Sequence, residues 1–229
     1  MATAILVDGG FFIRRYRALR GKQTAAKVAE DLHRMCLDHL RQRNGRRELY
    51  RIFFYDCPPL AKKAHHPVTG KLIDFSTTGA AVWRAELHRR LRSLRKVALR
   101  LGYLNDRTGC WRIHPEKLKS LLAGRIAVRD LTEADVYYDV RQKGVDMRIG
   151  LDIASMAFKR QVDQIILVAG DSDFVPAAKL ARREGIDFIL DPMWASIRED
   201  LHEHVDGLRS VIQRCPGDSP DAAASQSAV

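Results

Sequence analysis

Four short runs of β-branched and aliphatic residues decide what this chain can fold into. They lie at residues 3–7, 49–55, 164–169 and 186–190, and each is closed by a breaker: Asp8-Gly9-Gly10, Asp56, Gly170-Asp171 and Asp191-Pro192. Apolar runs of this length without alternation read as strands buried on both faces, which is the habit of parallel sheets. Parallel strands need long crossovers, and the segments between the runs have helical spacing. Residues 24–43 put Val28, Leu32, Met35, Cys36 and Leu40 on one face before Asn44-Gly45 stops them. Residues 174–183 form a second helix, capped by Gly185. The fold class that follows is α/β with a mostly parallel central sheet.

The remaining segments fill this frame. A short basic helix is expected at 11–19, and a polar loop from Cys57-Pro58-Pro59 to about residue 78. A long helix is expected at 80–101, with Leu87, Leu91, Leu94, Ala98 and Leu101 inward and Arg89, Arg92, Lys96 and Arg100 outward. Turn signals at Asn105-Asp106 and Thr108-Gly109 predict a hairpin at 103–114, and Pro115 opens a short helix. A strand at 136–140, a helix at 145–159 and a helix starting at Ser196 complete the order. The domain is expected over 1–214, with the hairpin as an insertion near 102–114 and a disordered Pro-, Ser- and Ala-rich tail at 215–229.

Composition narrows the function. Lys and Arg number 39 against 28 Asp and Glu, for a formal charge of +11, so a polyanionic partner is favoured. Cys36, Cys57, Cys110 and Cys215 have no CxxC spacing, which argues against a zinc ribbon or a disulfide framework. Isolated cysteines, an N-terminus without a signal-like apolar region and the lack of a spanning segment lead to the expectation of a cytoplasmic protein with no membrane partner. A homo-oligomer remains open.

Against the basic background stand Asp8, Asp146, Asp171 and Asp173, at predicted strand ends or helix starts. In an open α/β sheet the carboxyl ends of the strands share one edge, where ligands bind. Carboxylates gathered there repel one another unless a cation neutralises them, and all-oxygen donors suit Mg²⁺ or Mn²⁺. Helix capping or turn formation explains each aspartate singly; the group together favours a metal site. Asp152, six residues after Asp146, is a lesser candidate at the site's margin, with burial against a basic partner as its alternative. Asp56 reads as a turn cap and His65-His66 as solvated loop residues. A phosphatase of the haloacid dehalogenase type is disfavoured, because Gly10 stands where it needs a second acid.

VDGGFF at the start, IFFYDCPP after the second run, KGVDMRIGLD on a helix and LVAGDSDFVPAAKLARREG near the end resemble the LabA-like NYN domain, a member of the PIN-like nuclease fold. The resemblance spans about residues 4–205 in motif order. It implies a three-layer α/β/α sandwich of Rossmann-like type and an Mg²⁺- or Mn²⁺-dependent ribonuclease. It also implies metal-binding, catalytic carboxylates at Asp8, Asp146, Asp171 and Asp173. The residues after Asp8 match only members with a DGG start, and the fold transfers more safely than the activity. A non-catalytic RNA-binding or regulatory module on the same fold is the alternative. RNA, single-stranded, is the expected partner, with Arg14, Arg15, Arg17 and Lys143 as phosphate contacts. Phe11, Phe12 and Trp111 are the aromatic candidates for base stacking.

Overall fold

The computed structural model describes residues 2–42 and 45–213, so the predicted tail, Cys215 and Asn44 lie outside the described residues. Strand β1 (Ala2–Asp8) runs into helix α1 (Gly9–Arg20), followed by α2 (Ala25–His39). A minimal hairpin, β2 (Arg41–Gln42) and β3 (Gly45–Arg46), precedes β4 (Glu48–Asp56). A second small hairpin, β5 (Lys63–His65) and β6 (Leu72–Asp74), interrupts the expected polar loop before α3 (Gly79–Ser93) and β7 (Val97–Leu101). Then come β8 (Tyr103–Ile113), α4 (Pro115–Leu122), β9 (Val136–Lys143), α5 (Val145–Phe158), β10 (Gln164–Val168) and α6 (Val175–Arg183). The chain closes with β11 (Asp187–Asp191), the single turn α7 (Glu199–His202) and β12 (Gly207–Leu208).

The central sheet has the order β12-β11-β10-β1-β4-β7, and all its pairings are parallel. Every residue of β10 is buried, as are Thr3 to Val7 of β1, which explains their uninterrupted apolar run. Side chains alternate between two cores. Ile5, Val7, Phe54 and Ile166 pack with Phe12, Leu32, Met35 and Leu87 from α1, α2 and α3. Ala4, Leu6, Tyr55 and Leu167 pack with Ile149, Ile153, Phe174 and Ala178 from α5 and the α6 region. Helices therefore cover both faces, and the architecture is the expected three-layer α/β/α sandwich, consistent with a PIN-like fold.

Three expectations fail locally. The helix predicted at 80–101 ends at Ser93, and Lys96 takes a left-handed φ of 61° that turns the chain into β7. Val97–Leu101 pairs with Ile52–Asp56 of β4, so sheet pairing overrides the helical spacing of Ala98 and Leu101, and Lys96 and Arg100 do not belong to a helical basic face. The hairpin predicted at 103–114 does not turn back on itself. It is one long strand, paired antiparallel with β9 and irregular in register between Asn105 and Cys110, and the turn residues are absorbed in that irregularity. The helix expected from Ser196 is only Glu199–His202, because the chain must return to add β12 to the sheet edge.

Candidate metal and nucleic-acid site

The chain winds from β1 outward through β4 to β7, then returns to place β10 on the other side of β1. The C-terminal ends of β1 and β10 therefore flank the topological switch point, where open α/β sheets form their ligand crevice. Asp8 ends β1, Asp171 follows β10, and Asp146 stands in the first turn of α5.

Local chemistry explains each position. Asp8 is the N-cap of α1: its Oδ1 accepts the Phe11 N–H at 3.1 Å. Asp171 Oδ1 accepts the Asp173 N–H at 3.1 Å and caps the single 3₁₀ turn at Ser172–Phe174. Capping thus engages one oxygen of each carboxylate. Gly144 opens α5 with a left-handed φ of 77° and gives it no side-chain cap. The glycines beside the acids are steric necessities. A Cβ on Gly9 would fall 2.6 Å from the Tyr55 carbonyl oxygen, and one on Gly170 would fall 2.5 Å from Cε2 of Phe11.

Electrostatics links the four acids. Burial, and to a smaller degree the charge of Asp146, hold the Asp8 carboxyl above its ordinary range, opposed by the Phe11 N–H and by Arg14. Asp146 is raised by burial, then by the charges of Asp171 and Asp173. Asp146 is therefore the hub of the group. By surface area Asp8 is half-buried, whereas Asp146, Asp171 and Asp173 are exposed, so loss of hydration at Asp146 is only partial. Among the described residues, however, no three His, Cys, Asp or Glu side chains meet as a group that could hold a metal ion. The four acids are neighbours at Coulombic range rather than at shared-ligand range.

The other strand-end acids are occupied. Asp56 is fully buried; its Oδ1 accepts from Arg84 at 3.0 Å and from the Cys57 N–H at 2.8 Å, and its Oδ2 meets His88 Nε2 at 2.8 Å. Asp191 pairs with the buried His39 at 2.8 Å and accepts from the Met193 N–H and the Ser210 hydroxyl. Asp152, half-buried, accepts the Tyr55 hydroxyl at 2.7 Å and meets Arg100 Nε at 3.2 Å.

The basic and aromatic candidates divide. Arg14 is exposed and close enough to Asp8 to lower its pKa. Arg15 instead donates to the Met193 carbonyl at 2.8 and 3.2 Å, and Arg17 lies over the Trp83 ring at 4.9 Å from its centroid. Lys143, the last residue of β9, is exposed next to Gly144. Phe11 and Phe12 are core residues, withdrawn from any base. Trp111 packs with Phe75, Tyr138 and His66. His66 is buried rather than solvated, its Nδ1 accepting the Val68 N–H at 3.2 Å. Sequence reading missed Gln142, whose Oε1 lies 3.9 Å from where a Cβ on Gly10 would stand, the point that is 3.4 Å from Asp8 Oδ1; no sequence signal marks it, because the pairing of β9 with β8 brings it there.

Two cavities lie away from the acids. One of about 370 Å³ is lined by His39, Gln164, Asp187 and Arg209, and another of about 350 Å³ by Ala2, Asp163 and Gly185. No helix among the described residues is long and apolar enough to cross a membrane.

The NYN domain family matches residues 70–206, more than half of the chain. The match includes Asp146, Asp171 and Asp173 and begins after Asp8. No curated protein matches the chain. Among solved structures, a protein of unknown function, VPA0982 from Vibrio parahaemolyticus RIMD 2210633, is similar over 93% of both chains, at 16% identity and a TM-score of 0.47.

Proposed function

We propose that this chain, which belongs to the NYN domain family, is a divalent-metal-dependent ribonuclease acting on single-stranded RNA. NYN domains are a nuclease family of PIN-like fold, and a hydrolase acting on RNA is the coarse reading. The finer one, including the LabA-like assignment, rests on VDGGFF, KGVD and AGDSDF together. The observation that carries it is the coupling of Asp146 to Asp8, Asp171 and Asp173 at the switch point of a sheet in an otherwise basic chain.

The donors fit Mg²⁺ or Mn²⁺: they are hard carboxylate oxygens, and burial with mutual repulsion keeps Asp8 and Asp146 raised, a state that a cation would relieve. Asp8 and Asp146 would hold the ion, with Asp171 and Asp173 as further ligands or orienting groups. A bound ion would neutralise phosphate charge and acidify a water. The chain's own residues position the substrate. Arg14 and Lys143 are exposed cations that meet phosphates beside the acids. The Phe11 N–H fixes one Asp8 oxygen and leaves the other for an ion. The acids lie apart from both cavities, and an open site suits a polymer better than an enclosed small molecule.

A non-catalytic RNA-binding or regulatory module is the second reading, favoured by the lack of an assembled three-donor group among the described residues. Cleavage of labelled single-stranded RNA separates the two. Asp8→Asn and Asp171→Asn should abolish cleavage and leave RNA binding equal or tighter. EDTA should silence the wild type, and Mg²⁺ or Mn²⁺ should restore it. Melting supplies a readout besides activity: a cation at 100 times its Kd adds about 2.7 kcal/mol of stability, and Asp146→Asn should lose that gain. A wild type inert with either metal and unshifted in melting overturns the nuclease reading.

A further inference from the structure

Gln142, near the end of β9, and Asp146, in the first turn of α5, belong to one short segment that turns at the left-handed Gly144. Strand pairing fixes the direction of the Gln142 side chain. Gln142 stands opposite Leu104 of β8, and directly opposed residues of an antiparallel pair share a face. Leu104 packs against the core that holds Leu6 and Tyr55. Gln142 is therefore on the face turned to the sandwich, and Arg141 and Lys143 are on the other.

Gly10, in the first turn of α1, shows where that side chain arrives. Outside its own helix turn and chain neighbours, a Cβ on Gly10 would meet Asp8 Oδ1 at 3.4 Å and Gln142 Oε1 at 3.9 Å, and no other heavy atom of the described residues within 4 Å. The space above Gly10 is thus lined by two acceptor oxygens, and what two acceptors can share is a donor or a cation. Asp8 Oδ1 takes one hydrogen bond, from the Phe11 N–H, and a carboxylate oxygen has room for a second. The Gln142 amide makes no hydrogen bond among the described residues, and Gln142 is exposed, so water reaches it. Mg²⁺ sheds water reluctantly and usually keeps several molecules beside one or two carboxylates. Groups that hold such waters tune a metal site without touching the ion.

We propose that Gln142 is a positioning residue of the acidic group: its amide oxygen accepts a hydrogen bond from a hydration water of a divalent cation held at Asp8, in the space above Gly10. The role rests on the reading of the acids as a metal site. It also separates the two glycines after Asp8. Gly9 is required because a Cβ would strike the Tyr55 carbonyl, whereas Gly10 is required because a Cβ would fill the space that Asp8 and Gln142 share.

The test uses the full chain and Mn²⁺ alone, without RNA, with free Mn²⁺ read by electron paramagnetic resonance. Gln142→Ala and Gln142→Leu should each weaken Mn²⁺ binding about 10- to 100-fold, the range for loss of a group that supports a metal site through its outer contacts. Gln142→Glu should bind Mn²⁺ at least as tightly as the wild type, since it carries oxygen at both amide positions. Gly10→Ala should weaken binding too, and the variant with both Gly10→Ala and Gln142→Ala should bind no worse than the weaker single variant, because one water is lost only once. In EDTA each variant should melt no lower than the wild type, Gly10→Ala included, because alanine is favoured inside a helix. Wild-type affinity in Gln142→Ala and Gln142→Leu, or losses that multiply in the double variant, overturns the role of Gln142 alone, provided that the wild type binds Mn²⁺. A Gln142→Ala that melts below the wild type in EDTA makes Gln142 a structural residue and overturns the role as well. A wild type that binds no Mn²⁺ overturns the metal reading and the role of Gln142 with it.

Discussion

Replacing two strand-end aspartates by the same residue should give opposite results. Asp56 and Asp8 end adjacent parallel strands, and Asp8 pairs in register with Tyr55. Asp56 is fully buried and receives Arg84, His88 and the Cys57 N–H. In Asp56→Asn the amide keeps one carbonyl oxygen for Arg84 and Cys57, and His88 can change tautomer to accept from the new NH₂. The net loss is then about one hydrogen bond to a charged group, about 1.5–3 kcal/mol. For a domain of this size that is a fall in melting temperature of roughly 3–12 °C. Asp8→Asn keeps the α1 cap, because Asn caps as well as Asp. It also removes a charge that burial and Asp146 disfavour. Its melting temperature should equal or exceed that of the wild type at pH 7. The assay is thermal unfolding of the three proteins in EDTA. If Asp8→Asn falls as far as Asp56→Asn, or if Asp56→Asn does not fall, the division into a paired structural acid and an uncompensated site acid is wrong.

Asp8 and Asp146 are both raised above 3.8, so the folded state binds more protons than the unfolded chain and stability falls as pH rises through their folded pKa values. The melting advantage of Asp8→Asn should therefore be largest at neutral pH and vanish as pH falls toward 4, as a melting series across pH would show. Gly170→Ala places a Cβ 2.5 Å from the Phe11 ring and should cost about 1–3 kcal/mol in denaturant unfolding. Because the Phe11 N–H caps Asp8, the same variant should shrink the cation-induced rise in melting. RNA affinity measured against salt should fall linearly on logarithmic axes, with a slope of about 0.7 per phosphate contacted. Arg14→Ala should flatten that slope and Arg15→Ala should not, because Arg15 is engaged by the Met193 carbonyl.

Much of the fold was legible because its cause is local. Residues 3–7 and 164–169 are apolar without alternation, and only a strand covered on both faces rewards that pattern. The β7 strand was not legible. Leu87, Leu91, Leu94, Ala98 and Leu101 keep helical spacing, and the turn at Lys96 that breaks it follows from pairing with β4, a partner more than forty residues away. The β8–β9 arm was hidden for the same reason, since local turn signals at Asn105 and Thr108 cannot report a strand partner at residues 136–143.

The site divides along the same line. By itself the sequence determined that acids close the strands of a parallel sheet and that the chain around them is basic, because composition and strand-end position are local properties. It could not say which acids are compensated. Asp56 finds Arg84 and His88, Asp191 finds His39, and Asp152 finds Tyr55 and Arg100, all through contacts between elements far apart in the chain. Asp8 and Asp146 lose hydration without gaining a side-chain ion pair of this kind, and to a lesser degree meet like charge, Asp8 from Asp146 and Asp146 from Asp171 and Asp173, so their carboxyls stay raised. Tertiary structure alone decided this, because a carboxylate's energy depends on what lies within a few ångströms in space, and the order of residues along the chain does not fix those neighbours.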